Sequence, residues 1–373
     1  MIIKNAKVYK SDNLFYKEDI HIKDEYIVSM KEEDDCDIID GNGCYAIPGL
    51  IDVHFHGCNG YDLCDGSYDS IKNMAIYELK NGITGIVPAT MTLPMEELFK
   101  ISKSVGNYKC DEGAELLGVN MEGPFISKEK KGAQDSKYIE CPDIKLFEEL
   151  QRSANGKYKL VTIAPEERGA LEFINTLKSE VTISLGHSKA NCNEAMEAIK
   201  MGAKHVTHLY NAMTSYSHRE PGIIGAACDD KDCMVELICD GIHIHPSVIR
   251  NTFKMFGNDR IVLISDSMMA TGLKDGVYTL GGQEVKVEGK KATLLKDNTI
   301  AGSVSNLMDC MKYAVNECKI PFENVIPCVT ENPAKVIGVY DKYGSIDEGK
   351  YANILLLDEK LQIKHIIFKG KFI

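Results

Sequence analysis

Two histidines, His54 and His56, stand one residue apart at the end of the apolar run PGLIDVHFHG. Side chains alternate along a strand, so His54 and His56 share one face while Phe55 points to the other. Two neutral imidazoles converging on one space are good ligands for zinc or iron. Taken alone, such a pair is more often structural than metallic. Its weight comes from the polar residues that end other apolar runs: Glu122, His187, His208, Asp240 and Asp266. A carboxylate adds a harder, charged oxygen to imidazole nitrogen, so Glu122, His187 and His208 suffice for one divalent metal. His54 and His56 then decide whether there is a second.

Asp266, in LISDSMMATG, has a different setting. A metal lowers the pKa of a water towards about 7, and a carboxylate beside that water is its natural general base. The plainer alternatives are a further ligand or a cap on the following helix. Asp52 shares the inward face of the histidine pair but lies deeper, where it can support the ligands from behind. His205 has opposite strand parity to His208, so it is expected to face the helices or the surface. Arg219 offers a bidentate fork suited to phosphate, and a solvated loop residue is its bland alternative. His243 is expected to touch substrate and His245, just before Pro246, to be structural. Cys58 and Cys64 read as small packing residues.

The elements that must position these groups follow from the hydrophobic pattern. Residues 1–47 alternate apolar and polar residues, as in IIKNAKVY and DIHIKDEYIVSM, with a turn at Asp40-Gly41-Asn42-Gly43. From residue 48 short apolar runs alternate with segments of helical period. Eight runs stand out: 51–56, 83–90, 115–121, 159–164, 181–186, 204–208, 235–240 and 260–265. In the first intervening segment, Ile71, Met74, Ala75 and Leu79 fall on one helix face and Gly82 follows as a stop. Eight strands with crossovers predict an α/β fold of the (β/α)8 TIM-barrel type, whose chemistry sits at the C-terminal strand ends. No Gly-x-Gly-x-x-Gly follows the first strand, against a doubly wound dinucleotide fold. The barrel is expected over 48–344, with a β-hairpin insertion near 276–296 and helices near 305–318 and 322–337. The β-rich ends, 1–47 and 345–373, are expected to pair into one small β-sandwich domain.

Composition bounds the function. Of 373 residues, 44% are hydrophobic and 26% charged, as in an ordinary globular protein. A net charge of −12 argues against a nucleic-acid partner, which needs clustered positive charge. An anionic small substrate is compatible, given a few local cations. No apolar run approaches the roughly 20 residues that span a membrane, and MIIKNAKVYKSDNLF lacks the features of a signal peptide. The 13 cysteines are scattered, without a Cys-x2-Cys pair, which points to reduced thiols in the cytoplasm.

The motifs PGLIDVHFHG, NMEGPF, SLGHS, THLYNAM, HREPGIIGAA, DGIHIH and SDSMMATG, in this order, resemble the N-acetylglucosamine-6-phosphate deacetylase family of the amidohydrolase superfamily. The first is shared across the superfamily, whereas MEGPF, THLYNAM and REPG belong to this branch. The resemblance implies a barrel with a small β-sandwich from both termini, metal ligands at Glu122, His187 and His208, and Asp266 as acid/base. It implies a second metal where His54 and His56 are retained. It also gives Asn211 and the Ala212 backbone to the sugar, Arg219 and His243 to the sugar or its phosphate, and a homodimer as the assembly. Gln134 stands where many members carry His to polarise the acetyl carbonyl; its amide donates a hydrogen bond but carries no charge. The implied reaction is hydrolysis of N-acetylglucosamine 6-phosphate to acetate and the free amine. The alternatives are the galactosamine epimer, a dihydroorotase- or deaminase-like hydrolase, and a non-catalytic scaffold. Hydrolases of the second kind often place a carbamylated lysine at the fourth strand's end, which here reads Ile163-Ala164-Pro165-Glu166.

Overall fold

The computed structural model describes residues 1–29, 37–110 and 112–373. Met30, at the end of the alternating run DIHIKDEYIVSM, and Cys36, counted among the thiols, lie outside the described residues. The eight expected runs form eight parallel barrel strands. Leu50–Asp52 pairs with Ile83–Ile86, which pairs with Glu115–Leu116. The third strand resumes at Val119–Glu122 after Leu117 and Gly118. From there the order runs through Tyr158–Ile163, Thr182–Leu185, His205–Val206, Met234–Ile238 and Ile261–Ile264, each parallel to the last. The eighth strand returns to the first: the Asp266 N–H donates to the His54 carbonyl at 2.9 Å, and the His56 N–H to the Ser267 carbonyl at 2.7 Å.

Nearly every residue of these strands is buried, because helices cover a parallel sheet outside and side chains fill it inside. The first crossover helix spans Tyr68–Lys80, and the Ser67 side chain accepts from the Ser70 N–H at its start. Its buried face carries Ile71, Met74, Ala75 and Leu79, and Gly82 turns the chain at φ +85. The segment expected near 322–337 is two helices, Phe322–Val329 and Glu331–Val336, broken at Thr330.

Both termini meet in one eight-stranded sheet. Ile2–Tyr9, Phe15–Lys23, Tyr26–Val28, Ile38–Asp40 and Tyr45–Pro48 come from the N-terminal part, and Ile354–Leu357, Ile363–Phe368 and Lys371–Phe372 from the C-terminal part. The join is the antiparallel pairing of Tyr45–Pro48 with Ile354–Leu357. A separate apolar core, including Ile3, Val8, Ile20, Ile22, Ile354 and Leu356, holds this sheet. The insertion after the eighth strand is a three-stranded antiparallel meander, Gly276–Leu280, Gln283–Glu288 and Lys291–Leu294, one strand more than a hairpin. Among the described residues all twelve cysteines are free, and no helix is long and apolar enough to cross a membrane.

Candidate metal centre and active site

Each functional side chain sits at or just beyond a strand's C-terminal end. The first strand stops at Asp52, and beyond it His54 and His56 both turn to Glu122 at the barrel mouth while Phe55 is buried in the surrounding core. Glu122 is the last residue of its strand. His187, His208 and Asp266 each lie two residues beyond a strand end, in the left-handed region at φ 47, 26 and 48. Such a conformation costs a non-glycine residue about 1 kcal/mol or more and persists only where surroundings hold it. Here it swings three side chains inward that simple alternation would have scattered.

For this reason His205 and His208 both face the interior despite their opposite strand parity. The sixth strand ends at Val206, and His205 faces the barrel interior rather than the helices or surface. It is fully buried, with Nδ1 2.9 Å from the Ser184 hydroxyl in a polar layer that also contains Thr207 and Thr162. Burial pushes its pKa down, so it sits there neutral.

Six ligand-type side chains converge in two abutting groups: Glu122, His187 and His208, and His54, His56 and Asp266. Within each group the ligand atoms lie within 4.8 Å of one another. Glu122 is the hub. Its Oε1 lies 3.1 Å from His187 Nε2, 3.0 Å from His208 Nε2 and 3.3 Å from His54 Nε2, and its Oε2 lies 3.5 Å from His56 Nε2. Asp266 Oδ1 lies 3.2 Å from His56 Nε2.

The opposite ring nitrogens identify the tautomers. His187 Nδ1 is 2.9 Å from the Lys130 carbonyl, His56 Nδ1 is 3.3 Å from the Ala89 carbonyl, and His54 Nδ1 is 2.9 Å from Glu236 Oε2. Carbonyl and carboxylate oxygens only accept, so each Nδ1 carries the hydrogen and each Nε2 presents a lone pair inward. Lone pairs therefore face a carboxylate at about 3 Å, and His54 Nε2 is buried with no hydrogen-bond partner. Acceptors facing acceptors at this distance call for a cation between them, and this donor set fits a divalent metal. The electrostatics carry the same demand. Burial would raise the Glu122 carboxyl, and positive charge at His54 and His187 holds it well below the usual range. With their Nε2 lone pairs unprotonated, that charge has to come from a cation between them. Burial would likewise raise Asp266, and positive charge at His56, or a cation standing in for it, holds it down.

The metal groups form the floor of a cavity of about 270 Å³. Asn211 and Ala212, expected at the sugar, line it, as do Gln134, His243 and Asp266. Gln134 is buried; its Oε1 accepts from the Thr92 N–H at 2.6 Å and its Nε2 donates to Glu122 Oε2 at 2.6 Å. Asp240 is not at the metal groups: it orients His243, with Oδ2 2.7 Å from Nδ1, and accepts the His243 N–H at 2.9 Å. His245 caps the helix Pro246–Phe256. Arg219 is exposed on the segment after Met213 and is not among the residues lining the cavity. Glu166, at the fourth strand's end, accepts from the Ser188 hydroxyl at 2.6 Å and the Lys189 N–H at 2.7 Å, which ties down the loop behind His187.

The model of the amidohydrolase family matches residues 45–373, almost the whole chain. The chain belongs to the amidohydrolase family. One curated relative, the N-acetylglucosamine-6-phosphate deacetylase of Bacillus subtilis, is 38% identical over 87% of this chain and 83% of its own length. The N-acetylgalactosamine-6-phosphate deacetylase of Escherichia coli O157:H7 is 33% identical over 87% and 86%. Among solved structures, a mutant N-acetyl-D-glucosamine-6-phosphate deacetylase of Mycobacterium smegmatis, in complex with N-acetyl-D-glucosamine-6-phosphate, superposes with a TM-score of 0.92. It is 27% identical and is matched over 100% of this chain and 98% of that one.

As an amidohydrolase the chain has one supporting group that reading its motifs missed. Glu236, in the middle of the seventh strand, is fully buried; it bonds His54 Nδ1 and accepts the His208 N–H at 2.9 Å. Its signal was available: a lone acid at the centre of the apolar run VELIC requires a buried partner. The meander also contributes Leu280 to the cavity wall, with Thr299 and Ile300 just after it. Nothing in its alternating pattern indicated that.

Proposed function

We propose that this chain hydrolyses the N-acetyl group of N-acetyl-D-glucosamine 6-phosphate, giving acetate and glucosamine 6-phosphate. The observation that carries this reading is the pair of abutting ligand groups with Asp266 at their edge, facing one cavity. The family and the 38% identical deacetylase supply the substrate. Glu122, His187 and His208 would hold one divalent metal, and His54 and His56 beside Asp266 a second, zinc or iron by the imidazole-rich donor set. Bound there, the metal supplies a Lewis acid that polarises the acetyl carbonyl and makes water a nucleophile near neutral pH.

The rest is performed by the chain's own side chains. Asp266 takes the proton of the water that attacks the acetyl carbon. It then passes that proton to the nitrogen, which departs as an amine because an amide anion is too poor a leaving group. One N–H of Gln134 is committed to Glu122; the other lies 3.5 Å from Met91 Sδ, a weak acceptor that an acetyl oxygen readily displaces. Asn211, the Ala212 backbone and His243 orient the sugar. Arg219 would reach a phosphate from a second copy, in the homodimer that the resemblance implies.

The 33% identical relative favours one second reading, the galactosamine epimer. Comparing kcat/KM for acetate release from the gluco and galacto 6-phosphates tests both. The expected result is a preference for the gluco substrate of tenfold or more; the reverse preference would replace it, and release from neither would overturn the proposal.

A further inference from the structure

A phosphate ester carries about two negative charges at neutral pH, and the chain has a net charge of −12. The residues lining the cavity include no lysine or arginine; their only basic side chains are the imidazoles of His56, His187, His208 and His243. Two lysines nevertheless stand directly behind its wall. Lys131 precedes the lining residues Gly132, Ala133 and Gln134, and its Nζ donates to the carbonyls of Gly132 at 3.1 Å and Gln134 at 3.4 Å. Lys296 precedes the lining residues Thr299 and Ile300, and its Nζ donates to Gln283 Oε1. Gln283 Nε2 in turn donates to the Ala133 carbonyl, which brings the two lysines to the same stretch of wall from opposite elements.

Among the described residues both ammonium groups bond only neutral oxygens. Asp297, the carboxylate beside them, accepts the Thr299 N–H at 3.0 Å; that bond and both lysines hold its carboxyl below the usual range. Lys131 is half-buried and Lys296 exposed, so one is held against the wall and the other stands at its solvent edge, where Gln283 is a neutral acceptor that a phosphate can replace.

We infer that Lys131 and Lys296 form a cationic rim that receives the phosphate of the sugar phosphate, contributed by the same chain that holds the metal groups. This rests on the deacetylase reading of the site. A flexible ammonium on a long stem recognises phosphate as a point charge. Two such rim contacts together account for about a tenfold preference, the scale of partly exposed ion pairs.

The test compares the metal-loaded parent with Lys131→Gln, Lys296→Gln, the double variant and the double arginine variant. Acetate release is measured from N-acetylglucosamine with and without its 6-phosphate. The double glutamine variant should lose about tenfold of the parent's preference for the phosphorylated sugar, seen in KM rather than kcat. The double arginine variant should regain it, and raised salt should erode the parent's preference more than the variant's. An unchanged preference, or equal losses for both sugars, would overturn the rim. Binding of glucose 6-phosphate against glucose, by calorimetry, separates this from the deacetylase reading. If no acetate is released by the parent but the double glutamine variant binds glucose 6-phosphate about tenfold more weakly, the reaction falls and the rim stands. Equal binding removes the rim.

Discussion

Glu236 Oε2 lies 2.9 Å from His54 Nδ1, and the same oxygen accepts the backbone N–H of His208 at 2.9 Å. One buried carboxylate thus braces a member of each ligand group, and fixes His54 with its Nε2 lone pair facing Glu122. Removing such a partner typically costs about 10–100-fold in metal affinity. Glu236→Leu should therefore lose metal at chelator concentrations that leave the parent loaded. Glu236→Gln, whose carbonyl oxygen still accepts, should lose less. Equal metal retention in all three, counted after dialysis against graded chelator, would show that the carboxylate is only filling space.

Asp266 is assigned the proton transfers. General acid-base contributions are about 10²- to 10⁴-fold, so Asp266→Asn should lower kcat within that range. Its metal at Glu122, His187 and His208 should remain. Near-normal turnover in a metal-replete variant would remove Asp266 from the chemistry.

Gln134 is satisfied on both sides, by the Thr92 N–H and by Glu122. Gln134→Ala strands the buried Thr92 N–H, at a cost of roughly 1–3 kcal/mol, and removes one donor from Glu122, which keeps its histidine neighbours. Thermal melting should shift down by a few degrees and kcat should fall. Gln134→His restores a donor and should recover part of the kcat. A histidine variant no more active than the alanine one would mean that the donor is not what this position supplies.

Glu78, on the first crossover helix, is buried with both carboxylate oxygens unpartnered. Burial, then the charge of Asp52, pushes its pKa up to about 8. In the unfolded chain a glutamate loses its proton near 4.3. Between about pH 4.5 and 8 the folded state therefore holds a proton that the unfolded state has released, and stability falls as pH rises through that window. Glu78→Gln, which cannot ionise, should gain stability over the parent at pH 8 and little at pH 4.5. A difference in melting temperature that is flat across this range would contradict the buried, protonated state.

Much of the fold and the centre was legible because strand periodicity and ligand chemistry act locally. All eight runs become barrel strands, and the five expected ligands and Asp266 come together at their ends. What alternation could not supply was the turn after each strand. His187, His208 and Asp266 reach the centre through left-handed backbone, which no side-chain period encodes. His205 was misplaced for that reason. Glu236 escaped notice because its partners, His54 and the His208 backbone, lie 182 and 28 residues away. Arg219, on the exposed segment between Met213 and the helix Gly222–Asp229, is likewise absent from the lining of this chain's own cavity, which its sequence spacing from His208 does not show.

Acetate release is best followed in one preparation as purified, after chelation, and after return of a divalent metal, with metal counted in each sample. The expected result is acetate and free amine in equal amounts from N-acetylglucosamine 6-phosphate, lost with the metal and restored with it, at full content of two ions per chain. Stripped protein that hydrolyses as fast as loaded protein, or fully loaded protein that releases no acetate, would contradict a metal-dependent deacetylase.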